Sequence, residues 1–332
     1  MIDLTVVIVN YETSDLLTRC LASLQAARCA HPRLIFETIV VDNGSRDDSV
    51  ARALEALVSP QMIALARNRG FAAGVNCGLR IRRGRHVLLL NSDTEIDRDL
   101  LERGMRILDD RPDAGVLGAE LNHPDGRRQR SVHALPDLAS ELLPEMILRL
   151  LRPGTSNPES DLRADRQEGA PCEVEAVRGA VFFIRGELLE KVGLLDEGFF
   201  FFLEETDYCW RVREAGYRVL YCSSLRASHQ LGASSKRRVA LATRIEFHRS
   251  IGRFLERRSG RSVATFARFF RVTRTAISLV GLSLRALVSP VGRRRLAERW
   301  GLLLWHLRGR PVSDGLAEAL LADDHRFRPS SD

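Results

Sequence analysis

Residues 88–95 read Leu88-Leu89-Leu90-Asn91-Ser92-Asp93-Thr94-Glu95, and the reading of this stretch decides the fold. A short apolar run ends abruptly in a polar cluster with carboxylates. Such a run, bounded by polar residues, is expected of a strand buried on both faces. In open α/β sheets, ligands bind just beyond the carboxyl ends of the strands. A carboxylate there can hold a divalent metal against a diphosphate. An ordinary strand running into a capped turn would look the same, so the neighbouring segments must discriminate.

Upstream, the same pattern recurs. Leu4–Val9 (LTVVIV) is a β-branched strand followed by Asn10-Tyr11-Glu12. Leu16, Leu17, Cys20, Leu21 and Leu24 then repeat at helical spacing, with Thr13 or Ser14 suited to cap the helix. The strand Phe36–Val41 ends in Asp42-Asn43-Gly44-Ser45, and Val50, Leu54 and Leu57 mark a helix after it. Met62–Ala66 reads as a third strand, Phe71–Ile81 as a helix and His86–Leu90 as the fourth strand. Strand and helix alternate, which argues for parallel strands joined by right-handed crossovers.

Three consecutive strand ends therefore carry polar clusters. A carboxylate such as Asp42 can accept the N3–H of a uracil or thymine ring, and Gly44 permits a tight turn. Arg67-Asn68-Arg69-Gly70-Phe71-Ala72-Ala73-Gly74 offers donors and small residues, so helix-start amides can face a diphosphate. The same small residues would also serve tight helix packing. Asp93 completes the series as a metal ligand, the metal acting as a Lewis acid on a leaving diphosphate.

Downstream, Gly115–Leu121 is a strand, and His123–Pro171 is a long polar excursion with helical character only over Leu138–Leu151. Val174–Ile184 resumes as a strand. Phe199–Phe202 precedes Glu204-Glu205-Thr206-Asp207 at a helix start. First-turn acids suit the helix dipole. A carboxylate beside four phenylalanines is also partly desolvated, which raises its basicity towards that of a general base. Tyr217–Tyr221 is strand-like, and His229 is expected in the loop beyond it, where a neutral imidazole can serve as a metal ligand.

A chain of 332 residues suits about two domains. The charge is uneven. The formal net charge is +7, yet residues 236–310 hold 19 arginines and lysines against 3 acids. The six cysteines form no C-x-x-C pair and read as buried thiols of a reducing compartment. Met1-Ile2-Asp3-Leu4-Thr5 lacks the basic-then-apolar pattern of a signal peptide. Thr275–Val288 is the most apolar rear segment, shorter than the roughly 20 residues of a spanning helix.

These motifs resemble the inverting nucleotide-sugar glycosyltransferases of family two, in their rhamnosyltransferase-like branch. The resemblance covers roughly residues 3–235. It rests on Val7-Ile8-Val9-Asn10-Tyr11, Val41-Asp42-Asn43-Gly44-Ser45, Asn68-Arg69-Gly70-Phe71, Asn91-Ser92-Asp93, Gly179-Ala180, Phe200 to Asp207, and His229. It implies a GT-A fold: a Rossmann-like mixed α/β sheet flanked by helices. It implies a nucleotide-sugar site of Asn10, Tyr11, Asp42, Asn43, Asn68, Gly70, Asn91, Ser92 and Asp93. Within that site Asp42 would hold the base and Asn68 the ribose or phosphate region. It implies a Mg or Mn ion on Asp93 and His229, and an acceptor wall at Arg178, Gly179 and Ala180 with the Phe run. Its E-D-x-D signature appears here with Glu205 in place of the second acid, so Glu204, Glu205 and Asp207 all stand as candidates for the base. Asn91 replaces the first acid of D-x-D.

The expected organisation is a glycosyltransferase domain over 1–235 and a basic helical region over 236–332. Apolar residues at helical spacing (Phe266, Phe269, Phe270, Ile277, Leu279, Leu282) interleave with Arg268, Arg271 and Arg274. This suits an amphipathic helix on an anionic membrane surface. It also suits an accessory or homo-oligomeric bundle. No nucleic-acid motif accompanies the charge. The resemblance thus implies transfer from a dTDP- or UDP-sugar to a glycan or polyprenyl-diphosphate-linked acceptor at the inner face of the plasma membrane. A degenerate sugar-nucleotide-binding scaffold and a sugar-phosphate nucleotidyltransferase are the competing readings. The second would need a basic Gly-rich loop near the N-terminus, which Val9-Asn10-Tyr11 does not provide.

Overall fold

A computed structural model describes residues 2–143, 145–151, 169–230 and 240–320. The expected boundary at 235, Lys236, and part of the His123–Pro171 excursion lie outside the described residues. The chain divides into two compact units. The first comprises the described residues up to Leu135, those from 169 to Gly198, and those from Glu204 to 230. The second comprises Pro136–Leu151, Phe199–Leu203 and the described residues from 240 onwards.

The first unit is built on a nine-stranded sheet. Its elements begin β1 (Leu4–Asn10), α1 (Ser14–Ala30), β2 (Phe36–Asp42), α2 (Ser49–Leu54), β3 (Gln61–Ala64), α3 (Phe71–Arg80) and β4 (His86–Asn91). They continue through β5 (Thr94–Ile96), α4 (Leu100–Asp110), β6 (Ala114–Asn122) and β7 (Val132–His133). In the second unit come α5 (Leu138–Leu142) and α6 (Glu145–Leu151). The first unit resumes with β8 (Cys172–Glu173), β9 (Ala176–Val177), β10 (Val181–Arg185), α7 (Leu188–Lys191), α8 (Glu204–Glu214) and β11 (Arg218–His229). The strand order is β3-β2-β1-β4-β10-β6-β11-β5, with β8 pairing β11, while β7 and β9 form a separate ribbon.

The first four strands are parallel, as their alternation with helices dictates. The sheet becomes mixed where β10 enters antiparallel between β4 and β6. Side-chain alternation then sorts the two faces. Leu4, Val6 and Ile8 of β1 join Leu17, Leu21 and Leu24 of α1 and Leu101, Met105 and Leu108 of α4 in one buried cluster. Val7 and Val9 point the other way, against α3. A Cβ at Gly74 would lie 2.9 Å from Val9 Cγ1, and one at Gly78 2.6 Å from Val7 Cγ1. The small residues within α3 therefore serve close helix–sheet packing.

Three local expectations are corrected. The second helix is short, and Leu54 and Leu57 are exposed at 62% and 81%, so the Val50-Leu54-Leu57 spacing does not mark a buried face. The run Val174–Ile184 is not one strand but holds β9 and β10, separated by the turn at Gly179-Ala180. The last strand does not stop at Tyr221 but runs to His229, through an irregularity. Cys222 and Arg226 pair with the adjacent residues Ala119 and Glu120, so residues 223–225 are extra on β11.

The second unit adds α9 (Ala240–Ser259), α10 (Arg261–Val288) and α11 (Pro290–Leu307). Leu241, Ile245, Leu302 and Trp305 form an apolar cluster between α9 and α11. Buried Arg271 of α10 donates through Nε to Glu141 Oε2 of α5 at 3.0 Å, and through Nη2 to the same oxygen. Ser250 Oγ of α9 donates to Phe201 O at 2.9 Å, and the Phe202 and Phe247 rings meet edge-on. No helix among the described residues is long and apolar enough to cross a membrane.

Candidate active site

Parallel β1, β2 and β4 bring their carboxyl ends to one edge of the sheet. There a network of short polar side chains forms. Asn10, at the end of β1, donates to Asp42 Oδ1 at 3.0 Å and to Ser45 Oγ at 3.2 Å. Thr13 Oγ1 donates to Asn10 Oδ1 at 2.6 Å and shares a 2.9 Å hydrogen bond with Ser92 Oγ. Asp42 Oδ2 accepts from the Ser45 N–H. Asn10, Asp42, Asn43 and Ser92 are all buried. Tyr11 follows Asn10 and is half-buried. Ser45 thus braces the turn rather than opening α2.

The phosphate-loop candidates are tied to the same network. Asn43 Nδ2 donates to Asn68 Oδ1 and to Gly70 O, and Asn43 Oδ1 accepts from the Arg69 N–H. Asn68 Oδ1 also accepts from the Gly70 N–H at 2.9 Å. Asn68 and Asn43 therefore shape the turn into α3. Gly44 has φ +83°, and a Cβ there would sit 2.7 Å from the Arg67 carbonyl carbon. We expect Gly44→Ala to cost about 2–4 kcal/mol, from left-handed strain plus overpacking. Urea unfolding of the purified variant measures it.

The metal candidates meet across β5 and β11, which pair His229 with Thr94. His229 Nε2 lies 3.2 Å from Asp93 Oδ1, and the Gln230 N–H donates to Asp93 O at 2.9 Å. His229 is therefore the last residue of a strand, not part of a loop. On its other side, His229 Nδ1 is 2.9 Å from Gln129 Oε1. Two donors 3.2 Å apart can both touch one small divalent ion with bonds of about 2.1 Å. No third His, Cys, Asp or Glu joins them among the described residues. This is an open set suited to a cation whose other ligands come from a diphosphate and water.

β10 runs antiparallel to β4, so the start of one abuts the end of the other. Ala180 O accepts the Asn91 N–H at 3.1 Å, and the Arg178 N–H donates to Ser131 O at 2.9 Å. A Cβ on Gly179 would lie 3.5 Å from Glu205 Cβ and 3.6 Å from its Cγ. The proposed acceptor residues thus connect the end of β4 to the first turn of α8. Of the three candidate bases there, Glu204 is buried, and Asp207 is fully buried and ion-paired with Arg211 at 2.8 Å. Arg211 also donates to Val192 O and Leu194 O, so the Asp207–Arg211 pair ties α8 to the segment before it. Glu205 is the partly exposed one. Next to it, Thr206 Oγ1 is 2.9 Å from His133 Nε2. Burial, reinforced by Arg178 and Arg130, pushes the His133 imidazolium down to about 4, so the ring is neutral.

Sequence reading did not single out Gln129 or His133. No spacing marks them, because each is brought in by tertiary contact, Gln129 from 100 positions before His229.

Residues 5–164 match the family model described as glycosyl transferase family 2. The chain carries a family 2 glycosyltransferase domain. Among curated relatives, this glycosyltransferase is 27% identical over 246 residues to N-acetylglucosaminyl-diphospho-decaprenol L-rhamnosyltransferase of Mycobacterium tuberculosis. That match covers 70% of this chain and 78% of the relative. It is 25% identical over 244 residues to the low-salt glycan biosynthesis hexosyltransferase Agl10 of Haloferax volcanii, covering 68% and 67%. It is also 28% identical to the uncharacterised y4gI protein of Sinorhizobium fredii, of which it spans only 24%.

Among solved structures, mannosyltransferase PcManGT of Pyrobaculum calidifontis, in complex with GDP-Man and Mn2+, aligns with a TM-score of 0.55 at 15% identity. The alignment covers 93% of this glycosyltransferase and 88% of that chain. GalNAc-T7, solved with UDP, GalNAc and Mn2+, aligns with a TM-score of 0.51 at 17% identity over 69% of this chain and 44% of its own. These likenesses show the fold, a GT-A mixed sheet flanked by helices.

Proposed function

We propose that this glycosyltransferase is inverting and metal-assisted, and that it moves a sugar from a dTDP- or UDP-sugar to a hydroxyl of a lipid-linked or cell-surface glycan. The observation that carries the reading is convergence at one sheet edge. Asp93 and His229 face each other at 3.2 Å, and the Asn91–Ala180 bond leads through Gly179 to Glu205.

In this reading the Asn10–Asp42–Ser45 turn receives the base, and the turn at Asn68-Arg69-Gly70 faces the diphosphate. A divalent cation on Asp93 and His229 would offset charge on the leaving diphosphate. Glu205 takes the proton of the acceptor hydroxyl. The acceptor oxygen forms its bond to the anomeric carbon as the bond from that carbon to the diphosphate oxygen breaks on the opposite face. The nucleoside diphosphate leaves with the electron pair, and the anomeric configuration inverts. Phe202 and Leu203, just ahead of α8, hold left-handed backbones with φ of 73° and 66°. Such strain in non-glycine residues clusters at active sites, which supports a role for the start of α8. Rhamnose is the first sugar to try, given the mycobacterial relative.

The acceptor reading extends to the membrane. On α10, Phe266, Phe269, Ile277, Val280, Leu287 and Val288 are exposed between 52% and 85%. Residues 236–310 are strongly basic around them. An apolar helix face in a cationic surround suits an anionic leaflet. The protein would then work as a peripheral enzyme on the cytoplasmic face of the plasma membrane.

Purified protein with Mg2+ or Mn2+ is to be incubated with a panel of dTDP-, UDP- and GDP-sugars, with and without a polyprenyl-diphosphate-linked glycan. Acceptor-dependent release of nucleoside diphosphate is expected from one dTDP- or UDP-sugar. Binding without turnover across the panel would identify a scaffold. Pyrophosphate made from a nucleoside triphosphate and a sugar phosphate would identify a nucleotidyltransferase. Co-sedimentation with phosphatidylglycerol vesicles, lost in 0.5 M salt or in Phe266→Glu/Phe269→Glu, tests the membrane reading; equal binding to neutral vesicles or none to either would sink it.

A further inference from the structure

We propose that Gln129 is a positioning residue that holds the His229 ring in its Nδ1–H form, turning the Nε2 lone pair onto Asp93 where a divalent cation is to bind. The inference rests on the reading of Asp93 and His229 as cation ligands given above. Gln129 arrives from a tight hairpin at the end of β6, closed by the Gly126 N–H to His123 O bond at 2.8 Å, with Gly126 at φ +82°. The Gln129 N–H then donates to Leu121 O at 2.8 Å, which lays the residue back along β6, the neighbour of β11.

The orientation of its amide follows from its surroundings. Nε2 faces His229 O, Asn122 O at 3.2 Å and His123 Nδ1 at 3.2 Å. Carbonyl oxygens only accept, so the atom facing them is the amide nitrogen. Oε1 is therefore the atom 2.9 Å from His229 Nδ1. An amide oxygen cannot donate, so Nδ1 carries the proton. In the neutral ring the lone pair then lies on Nε2, which faces Asp93 Oδ1 at 3.2 Å. Two acceptors at that distance repel one another until a positive charge sits between them.

One buried side chain thus grips both the ring and the backbone carbonyl of His229. An acceptor on the far nitrogen of a ligating histidine fixes tautomer and ring orientation, and its loss typically weakens metal affinity by about 10- to 100-fold.

The test combines histidine tautomer and metal uptake. In metal-free protein with 15N-labelled histidine at pH 8.5, His229 is assigned by His229→Gln, and its ring nitrogens are read by long-range 1H–15N NMR. Wild type is expected to show protonated Nδ1 and bare Nε2. Gln129→Leu is expected to move the proton to Nε2 and to weaken binding of Mn2+ alone, followed by EPR, by about 10- to 100-fold. Gln129→Glu keeps the acceptor on Nδ1 and is expected to keep the tautomer, with Mn2+ binding nearer wild type than Gln129→Leu. Thermal unfolding identifies a variant that has merely misfolded, and Gln129→Glu then carries the comparison. A wild-type ring protonated on Nε2 overturns the proposal, as does a folded Gln129→Leu with unchanged tautomer and affinity. A wild-type Nδ1–H ring with no Mn2+ uptake overturns the metal reading of Asp93 and His229, and with it the purpose assigned to Gln129, while leaving the family assignment untouched.

Discussion

Glu205→Gln is expected to lower turnover by about 10²- to 10⁴-fold, the range over which a positioned general base acts. The amide keeps the size and shape of the side chain beside Gly179, so packing is conserved while proton acceptance is lost. An interaction made only in the transition state affects kcat and kcat/KM alike, so donor KM is expected to stay within a few-fold of wild type. The two neighbouring acids behave differently. Asp207→Asn removes the charge that Arg211 meets at 2.8 Å in the interior, so its effect is expected on unfolding before activity. Glu204 is buried, and Glu204→Gln is expected to retain more turnover than Glu205→Gln. Steady-state release of nucleoside diphosphate for the three variants, with circular dichroism as a check on folding, decides the matter. A Glu205→Gln enzyme with more than a tenth of wild-type kcat sinks the assignment.

The largest expected effect on stability lies in the helical unit. Arg271 and Glu141 are both buried, and they tie α10 to α5. Removing one partner of such a pair leaves a charge in the interior, at about 3–5 kcal/mol. Arg271→Ala should therefore lower the unfolding free energy of the full chain by that amount in a denaturant titration. The double variant Arg271→Met/Glu141→Leu leaves no orphan charge, and apolar replacement of a buried pair is often neutral or better. It is expected to recover most of the loss, a coupling that a double-mutant cycle reads directly. Additive losses would show that the two side chains do not interact.

What the sequence made legible follows from range of interaction. The strand ends at Asn10, Asp42 and Asn91 were visible because β-branched and leucine runs stop at polar clusters, and parallel strands bring such ends to one edge. Gly44 was visible because its tight turn is local. The α3 glycines were ambiguous between phosphate approach and packing, and only the Val7 and Val9 contacts assign Gly74 and Gly78 to packing. Leu54 and Leu57 misled because apolar spacing implies a buried face only if something covers it. His229 was recognised from its motif, yet its place on a strand was not, because the extra residues 223–225 break the alternation that marks strands. Gln129 carried no signal, since its role exists only once β6 and β11 lie side by side. The grouping of Pro136–Leu151 and Phe199–Leu203 with the helices beyond 240 was equally invisible, because chain order says little about contacts made far along the sequence.

The irregularity in β11 bears on how this chain can change in length. An odd number of extra residues reverses which way every later side chain on a strand points. Residues 223–225 are such an odd insertion relative to β6, so the orientation of His229 depends on that count. Deleting a single residue there would present Gln230 where His229 now stands, even though neither Asp93 nor His229 had itself been changed. The hairpin tip at Pro124–Gly126 carries no such phase, since a longer loop can bulge outward without moving its stem. Homologous chains should therefore vary freely in length at that tip, and change at the β11 insertion only by steps that preserve parity.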